Sequence, residues 1–273
     1  MEQEVGEREK MAYAAGIIDS DGAIYIQKNK RSLGTPCVSV AVSCIELVNL
    51  LFMNFGGLIR KTRNLPMWIL RKNSDVSTFL KNVKQFLVEK QEIAEAVLER
   101  NYEKCCELNK WTCQERIERK LDFQNDNEIW SYIAGFIDGD GHITIKKRNR
   151  DNDQKKRYYA DYSLEIGCGG TDFRSTQFIA DFFKKGSLKV RPHKLCVSGQ
   201  RLDFRIRKPE EVKEFLNGIL PFLIIKKNNA LIALEYIEGY KANIGGNDRS
   251  IPEEQIQYRE VCYQKMKLLQ RRK

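Results

Sequence analysis

The sequence predicts an α+β fold built from two tandem copies of one helix–hairpin–helix–hairpin–helix unit, an αββαββα repeat. Residues 13–28 (YAAGIIDSDGAIYIQK) and 132–147 (YIAGFIDGDGHITIKK) are identical at ten of sixteen positions at an offset of 119, whereas random segments would share about one. Residues 69–90 and 205–226 also align without gaps, at an offset of 136. We infer a duplication, in which 17 extra residues lengthen the strands and loops of the second copy.

The elements of each copy follow from the spacing of its apolar residues. Each copy opens with a short apolar stretch that ends in Asp-x-Asp-Gly, which is typical of a helix stopped by glycine. The alternation of apolar and polar residues that follows predicts strands with one buried face and one solvent-exposed face. The predicted inward residues are Val38, Val40, Val42, Tyr162, Leu164, Ile166, Leu202, Phe204 and Ile206. Residues 46–55 and 173–184 are predicted as middle helices, and 75–100 and 210–238 as closing helices.

These patterns divide the chain into four segments. The first repeat domain is predicted over residues 1–100 and the second over 129–245. Residues 101–128 are charged and contain ERIERK, which suits a partly helical linker. Residues 246–273 are predicted as a basic tail, helical from about Pro252, a residue well suited to a helix start.

Composition points to an intracellular protein with a polyanionic partner. Lysine and arginine number 47 against 37 acids, a net charge of +10, which favours nucleic acid as the partner. The eight cysteines include no CxxC pair and there are only two histidines, so we expect a reducing compartment and no zinc site. No secretory signal or membrane-spanning run is predicted. An organelle, a bacterium and a virus all remain open as the host.

The two Asp-x-Asp-Gly segments carry a family resemblance. AAGIIDSDG at 14–22 and IAGFIDGDG at 133–141 resemble the LAGLIDADG motif of homing endonucleases, and two copies in one chain look like the monomeric, pseudo-twofold members. The resemblance covers about residues 11–240. It implies two antiparallel, saddle-shaped DNA-binding sheets and a central interface of two motif helices, where Gly16 and Gly135 let the backbones approach closely.

The resemblance implies a metal-dependent active site at the ends of the motif helices. Asp21 and Asp140 match the family's catalytic and metal-binding carboxylates, and the carbonyl oxygens of Ser20 and Gly139 are implied as further ligands. Two close carboxylates at helix C-termini suit hard divalent cations. The expected cofactor is Mg²⁺, as two or three divalent ions, with Mn²⁺ substituting and Ca²⁺ binding without supporting cleavage.

Two further residue pairs follow from the same resemblance. Asp19 and Asp138 match the first acid of the motif, and we expect a structural role for them in ending the helix and orienting the next turn. Lys90 and Lys226 match the family's active-site lysines, which implies that they stabilise charge on the phosphorane or polarise the attacking water's network. The family's strand-end glutamines have no secure match, although Ser43, Cys44, Gly167 and Cys168 fall near those positions.

The outward strand residues are chemically suited to contact bases and phosphates in the major groove of double-stranded DNA. They are Tyr25, Gln27, Asn29, Arg60, Arg71, Thr144, Lys146, Arg148, Arg157, Tyr159, Arg191, Arg205 and Arg207. The second copy carries KKRNRDNDQKKR where the first carries the milder QKNKRSLGT. Because the two halves differ, we predict a nonpalindromic target.

The predicted function is therefore site-specific cleavage of double-stranded DNA in a long asymmetric target. The alternatives on the same fold are an intron RNA maturase and a catalytically inactive DNA-binding regulator. A His-Asn-His nuclease is disfavoured because the chain has only two histidines. A nonenzymatic interaction protein would not need both Asp21 and Asp140.

Overall fold

A computed structural model describes residues 5–29, 32–62, 64–110, 121–150, 159–194, 199–239 and 252–270. The predictions made for Arg157 and for the ERIERK segment lie outside these residues. Those made for the side chains of Asn29 and Tyr159 also fall outside the description.

The first repeat contains the predicted order of elements. Helix α1 is followed by a hairpin, a helix, a second hairpin and a pair of closing helices. Their bounds are α1 Glu7–Asp21, β1 Gly22–Asn29, β2 Ser32–Ala41, α2 Ile45–Phe55, β3 Leu58–Thr62, β4 Leu65–Leu70, α3 Asn73–Val83 and α4 Gln91–Leu98. The strands form one antiparallel sheet in the order β1-β2-β4-β3. A short helix, α5 Tyr102–Leu108, follows.

The second repeat has the same elements with longer strands. Their bounds are α6 Asp126–Asp140, β5 His142–Arg150, β6 Tyr159–Gly170, α7 Phe173–Phe183, β7 Ser187–Pro192, β8 Gln200–Ile206, α8 Pro209–Ile219 and α9 Lys227–Glu238. The sheet order β5-β6-β8-β7 matches that of the first repeat. Each strand is one or two residues longer than its counterpart, which confirms that the insertion lengthens the strands.

The predicted faces of the strands are confirmed. Val38, Val40 and Val42 are buried, as are Tyr162, Leu164, Ile166, Leu202, Phe204 and Ile206. All of these except Leu202 form, with both motif helices, one core that runs through the two repeats. The α+β architecture of paired αββαββα units is therefore confirmed.

The motif helices α1 and α6 pack against each other at the centre of the molecule. A Cβ added at Gly16 would lie 2.1 Å from the Tyr132 carbonyl oxygen, and one at Gly135 would lie 2.2 Å from that of Tyr13. No side chain fits at such distances, so both positions require glycine. The two helix ends that carry Asp21 and Asp140 are thereby held together.

The prediction of continuous closing helices at 75–100 and 210–238 is wrong. The first breaks after a 3₁₀ turn at Lys84–Phe86, and the second breaks between Ile219 and Lys227. The breaks occur because the main-chain N–H groups in these stretches bind the Asp19 and Asp138 carboxylates instead of helix carbonyls. The periodic spacing of apolar residues continues across each break, and so the sequence pattern did not reveal the breaks.

The predicted C-terminal helix is α10, Glu253–Gln270. It packs on α9 and on strands β5 and β6, and it buries Cys262 and Met266. Glu260 accepts a hydrogen bond of 2.8 Å from Lys147 and another from the Tyr162 hydroxyl. The tail is therefore an integral part of the second repeat. Among the described residues, no helix combines the length and apolar character needed to cross a bilayer.

Candidate active site and sheet surfaces

The C-terminal ends of α1 and α6 meet where the two sheets begin. A Cβ at Gly139 would lie 2.0 Å from the Ser20 hydroxyl oxygen and 3.2 Å from Asp21 Oδ2. The pKa of Asp140 is raised, first by partial burial and second by the negative charge of Asp21. The two carboxylates therefore interact electrostatically. The structure therefore places the two predicted catalytic acids close enough for their charges to repel each other.

This arrangement fits hard divalent cations. Two carboxylates that repel each other are stabilised by a shared cation, and two helix C-termini add negative potential at the same point. The Ser20 hydroxyl is turned back onto its own helix, where it donates to the carbonyls of Gly16 and Ile17. Nowhere in the described ranges do three His, Cys, Asp or Glu side chains cluster as a metal site. Main-chain oxygens, phosphate oxygens and water would therefore complete the coordination.

Asp19 and Asp138 precede the two candidate catalytic acids by two residues, and their carboxylates accept hydrogen bonds from the protein itself. The Asp19 carboxylate accepts from the backbone N–H groups of Val88, Glu89 and Lys90, at 2.7–3.1 Å. It also accepts a hydrogen bond of 2.9 Å from the Tyr132 hydroxyl, which belongs to the other repeat. Each first acid thus fastens the break in its own closing helix to the partner motif helix.

Asp138 repeats this set with its symmetry-related partners. It accepts from the N–H groups of Ile224, Ile225 and Lys226 and from the Tyr13 hydroxyl, at 2.7–3.1 Å. Burial raises the pKa of Asp19 and of Asp138, and these hydrogen bonds oppose the rise.

Lys90 and Lys226 reach the same helix ends from behind. The Lys90 ammonium donates to the carbonyls of Ile18, Asp19 and Gly22, at 2.5–3.0 Å. An ammonium has three donors, and a cation at a helix C-terminus is stabilised by the helix dipole. Both lysines therefore secure the turns that present the acids, and their predicted catalytic role stays a prediction.

The Lys226 ammonium repeats the pattern on the carbonyls of Ile137, Asp138 and Gly139, at 2.5–3.2 Å. Its side chain is buried, whereas that of Lys90 is partly exposed. Gly139 is thus both a predicted metal ligand and a lysine partner, which its carbonyl allows because a carbonyl oxygen has two lone pairs.

The outer face of the first sheet carries few charges. Tyr25 and Gln27 lie on β1, Arg60 is exposed on β3, and Arg71 follows β4. The Arg71 guanidinium donates to the Gln27 side-chain carbonyl. The ranges of the four strands contain no Asp or Glu. This face is therefore mildly basic and mostly neutral.

The outer face of the second sheet is organised around Glu165, whose side chain is only 3% exposed. It accepts from Lys146 Nζ at 2.5 Å, Arg207 Nε at 2.6 Å and His142 Nε2 at 3.2 Å. Burial alone would raise the pKa of Glu165, but these hydrogen bonds outweigh it and lower the pKa to about 2. Glu165 is therefore a buried anion that orients the cations around it.

Asp203 is a second buried carboxylate on this face. It contacts Arg191 Nε at 2.9 Å, Arg201 Nε at 2.7 Å and Arg205 Nη2 at 2.9 Å. Arg205 also lies 3.7 Å from Glu165, so the two groups form one continuous network. Four of the predicted DNA-binding residues of the second repeat are thus held by carboxylates that the sequence prediction did not include. They are Lys146, Arg191, Arg205 and Arg207.

The sequence did contain a signal for these acids. Strand alternation places Asp203 and Glu165 on the outward face among basic residues, as in RLDFRIR, although it cannot show that they are buried. Of the other predicted DNA contacts, Arg148 is exposed, and Thr144 accepts a hydrogen bond of 3.2 Å from Gln270 on α10. Cys168, near the expected strand-end position, is buried, and burial raises the pKa of its thiol.

Comparison with known proteins identifies relatives of this fold. Residues 133–237 match the family model described as LAGLIDADG endonuclease. I-SmaMI bound to an uncleaved DNA target in the presence of calcium ions is 15% identical, with a TM-score of 0.65, covering 94% of this chain and 98% of that chain. I-SmaMI bound to cleaved DNA has the same identity and a TM-score of 0.67, covering 94% and 96%. I-GzeII in complex with its DNA target is 14% identical, with a TM-score of 0.58, covering 84% and 89%. No curated protein sequence matches this chain.

The family match falls on the second repeat, and the first repeat reproduces its motif, its elements and its sheet order. The fold is that of a single-chain, two-motif LAGLIDADG protein. The LAGLIDADG endonuclease model thus matches the second repeat, and the whole chain is similar in fold to I-SmaMI and I-GzeII.

Proposed function

We propose that this protein is a site-specific DNA endonuclease that cuts both strands of a long asymmetric target with the help of divalent metal ions. The observation that carries the proposal is the meeting of Asp21 and Asp140 at two touching helix ends, between two sheets with polar outer faces. The family match supports nuclease chemistry. The relatives with DNA in their structures support double-stranded DNA as the substrate.

The two acids are the groups that would hold Mg²⁺, together with the main-chain carbonyls of Ser20 and Gly139. When bound, Mg²⁺ activates water, orients the phosphate and neutralises the charge on the leaving oxygen. The protein's own part is positioning. The ammonium groups of Lys90 and Lys226 donate hydrogen bonds to carbonyls of the last helical turns. The carboxylates of Asp19 and Asp138 accept hydrogen bonds that join those turns to the breaks in the closing helices. Each acid is thereby presented on a rigid support.

Target asymmetry follows from the two sheets. The second sheet carries arginines paired with carboxylates, whereas the first carries neutral and amide side chains. The two sheets would therefore present different hydrogen-bond donors to the major groove. Both motif helices belong to one chain, so the active site needs no second copy, and we propose that the protein acts as a monomer.

The proposal is tested with a randomised DNA library exposed to the purified protein in Mg²⁺ and then in Ca²⁺, with sequencing of both bound and cut molecules. We expect double-strand cuts at one long site in Mg²⁺ and binding without cuts in Ca²⁺. Asp21→Asn and Asp140→Asn should each abolish cutting and retain binding, while Asp75→Asn at the half-exposed start of α3 serves as the matched control and should cut normally.

Three outcomes would contradict the proposal in different ways. Specific binding without cuts in any divalent metal would indicate a regulator. Failure to bind DNA would favour intron RNA as the partner. Cutting that survives both Asp→Asn substitutions would place the chemistry elsewhere in the chain.

A further inference from the structure

The two repeats differ at one apolar groove on the side of the motif helices that lies away from the acids. In one half this groove is filled by Phe123, from the segment that precedes α6. Its ring lies 5.4 Å from the ring of Phe86, 5.9 Å from that of Tyr132 and 5.5 Å from that of Phe178. The segment also donates a main-chain hydrogen bond of 3.1 Å from Asp122 to the Gln85 carbonyl.

The repeat offsets locate the same groove in the other half. Phe86, Tyr132 and Phe178 correspond to Phe222, Tyr13 and Leu50, because the aligned elements differ by 136, 119 and 128 positions. All three counterparts line an open cavity of about 910 Å³.

Among the described residues that line the second groove, none corresponds to Phe123. In the sequence alignment of the two repeats, the offset of 119 pairs Phe123 with Glu4. A carboxylate does not replace an aromatic ring in an apolar groove, because its charge would lose hydration there. In the part of the chain that the structure describes, the fold thus contains two copies of one receptor for an aromatic side chain, and one of them is filled by Phe123.

We propose that the cavity lined by Tyr13, Leu50 and Phe222 is a docking site for an extended segment of a partner protein that carries a phenylalanine next to an acidic residue. The filled groove shows the mode of binding, since Asp122 precedes Phe123 and lies 3.7 Å from Arg8. Lys227 and Lys10, which also pairs with Glu7 at 2.8 Å, line the open cavity and supply positive charge there. Pro221, which lines the open cavity, corresponds to Gln85 at the offset of 136.

The site is remote from the acids, so an occupant would not block DNA. Tyr13 precedes Asp21 by eight residues on α1, which is about 12 Å along a helix. The inference therefore does not depend on the proposed nuclease activity.

The test uses a fluorescent nine-residue peptide, KLDFQNDNE, which contains Phe123 and its sequence neighbours. The measurement is its fluorescence polarisation on titration with the full-length protein. We expect saturable binding that weakens about tenfold or more when the peptide phenylalanine is replaced by alanine, because burial of that ring dominates the contact. Replacing the peptide's first aspartate by asparagine should weaken binding less.

Asn54→Trp is the matched protein variant. Asn54 lines the open cavity and is exposed, so a tryptophan side chain at this position can lie across the cavity. The tryptophan should fill the groove and abolish peptide binding while thermal stability and any DNA cleavage stay unchanged. No saturable binding, or binding that Asn54→Trp or the alanine peptide leaves intact, would overturn the proposal. A dimer of the protein alone that Asn54→Trp dissociates would identify a second copy as the occupant, and would overturn it too.

Discussion

The centre of the molecule is symmetric, whereas the outer faces of its two sheets are not. At the centre, Asp19 and Asp138 each accept three backbone N–H groups and one tyrosine hydroxyl from the opposite repeat. On the sheets, the first repeat has no strand carboxylate, while the second holds its arginines with Glu165 and Asp203. The difference teaches that duplication has preserved the support of the acids and has allowed the surfaces that would read the target to diverge.

The largest expected effect concerns the symmetric centre. Gly16→Ala and Gly135→Ala should each destabilise the protein by at least about 3 kcal/mol, because the new methyl group would force the helix backbones apart. The two losses should be similar, as the contacts of 2.1 and 2.2 Å are. Urea unfolding measures both. Gly6→Ala, whose new Cβ would approach only the flexible Glu9 side chain at 3.4 Å, is the control. A mild effect at either motif glycine would show that the helices do not depend on this close approach.

The next effect concerns the two first acids. Asp19→Asn and Asp138→Asn should each cost about 2 kcal/mol, because an amide presents its NH₂ to backbone N–H groups that a carboxylate accepts from. Thermal unfolding at neutral pH compares them, with substitution of the half-exposed Asp75 by asparagine as the control. Unequal losses would break the symmetry inferred for the centre.

A smaller effect separates the two sheets. Glu165→Gln and Asp203→Asn should reduce discrimination against substituted bases about tenfold in one half-site only, because the arginines and Lys146 lose their fixed orientation. Binding to random DNA should stay equal or strengthen, since each substitution removes a negative charge. Competition binding with singly substituted targets measures this. The exposed Glu46→Gln in the first repeat is the control, and equal loss in both half-sites would indicate a general fold defect.

The smallest effect is a pH dependence of the second repeat. The pKa values of Glu165 and Glu260 are lowered to about 2, so their contribution to stability is present above an ordinary glutamate pKa of about 4.5. It should be lost as pH falls from about 4.5 toward 2. Hydrogen exchange at pH 3 should show β5–β8 loosening before β1–β4, which have no such carboxylate. Earlier exchange in the first sheet would contradict this.

Much of the fold was readable in the sequence because it depends on local periodicity and on repetition. The strand faces around Val40 and Phe204 and the ends of α1 and α6 at Asp-x-Asp-Gly match the prediction. The helix breaks before Lys90 and Lys226 did not follow from the pattern, because they are fixed by carboxylates about 70–90 residues away in sequence.

The candidate site was predictable in its residues but not in their geometry. Repetition singled out Lys90 and Lys226, yet only tertiary structure shows that their ammonium groups point at helix carbonyls. The role of Glu165 was hidden for a related reason. Its outward position follows from alternation, but its burial depends on cations brought together from β5 and from the end of β8.

The most direct test of the contrast between symmetric centre and asymmetric sheets is a cleavage assay on three DNAs. These are the selected target and the two perfect palindromes built from its left and right half-sites. We predict rapid cleavage of the selected target and slower, unequal cleavage of the two palindromes. Equal cleavage of both palindromes, at the rate of the selected target, would contradict the account.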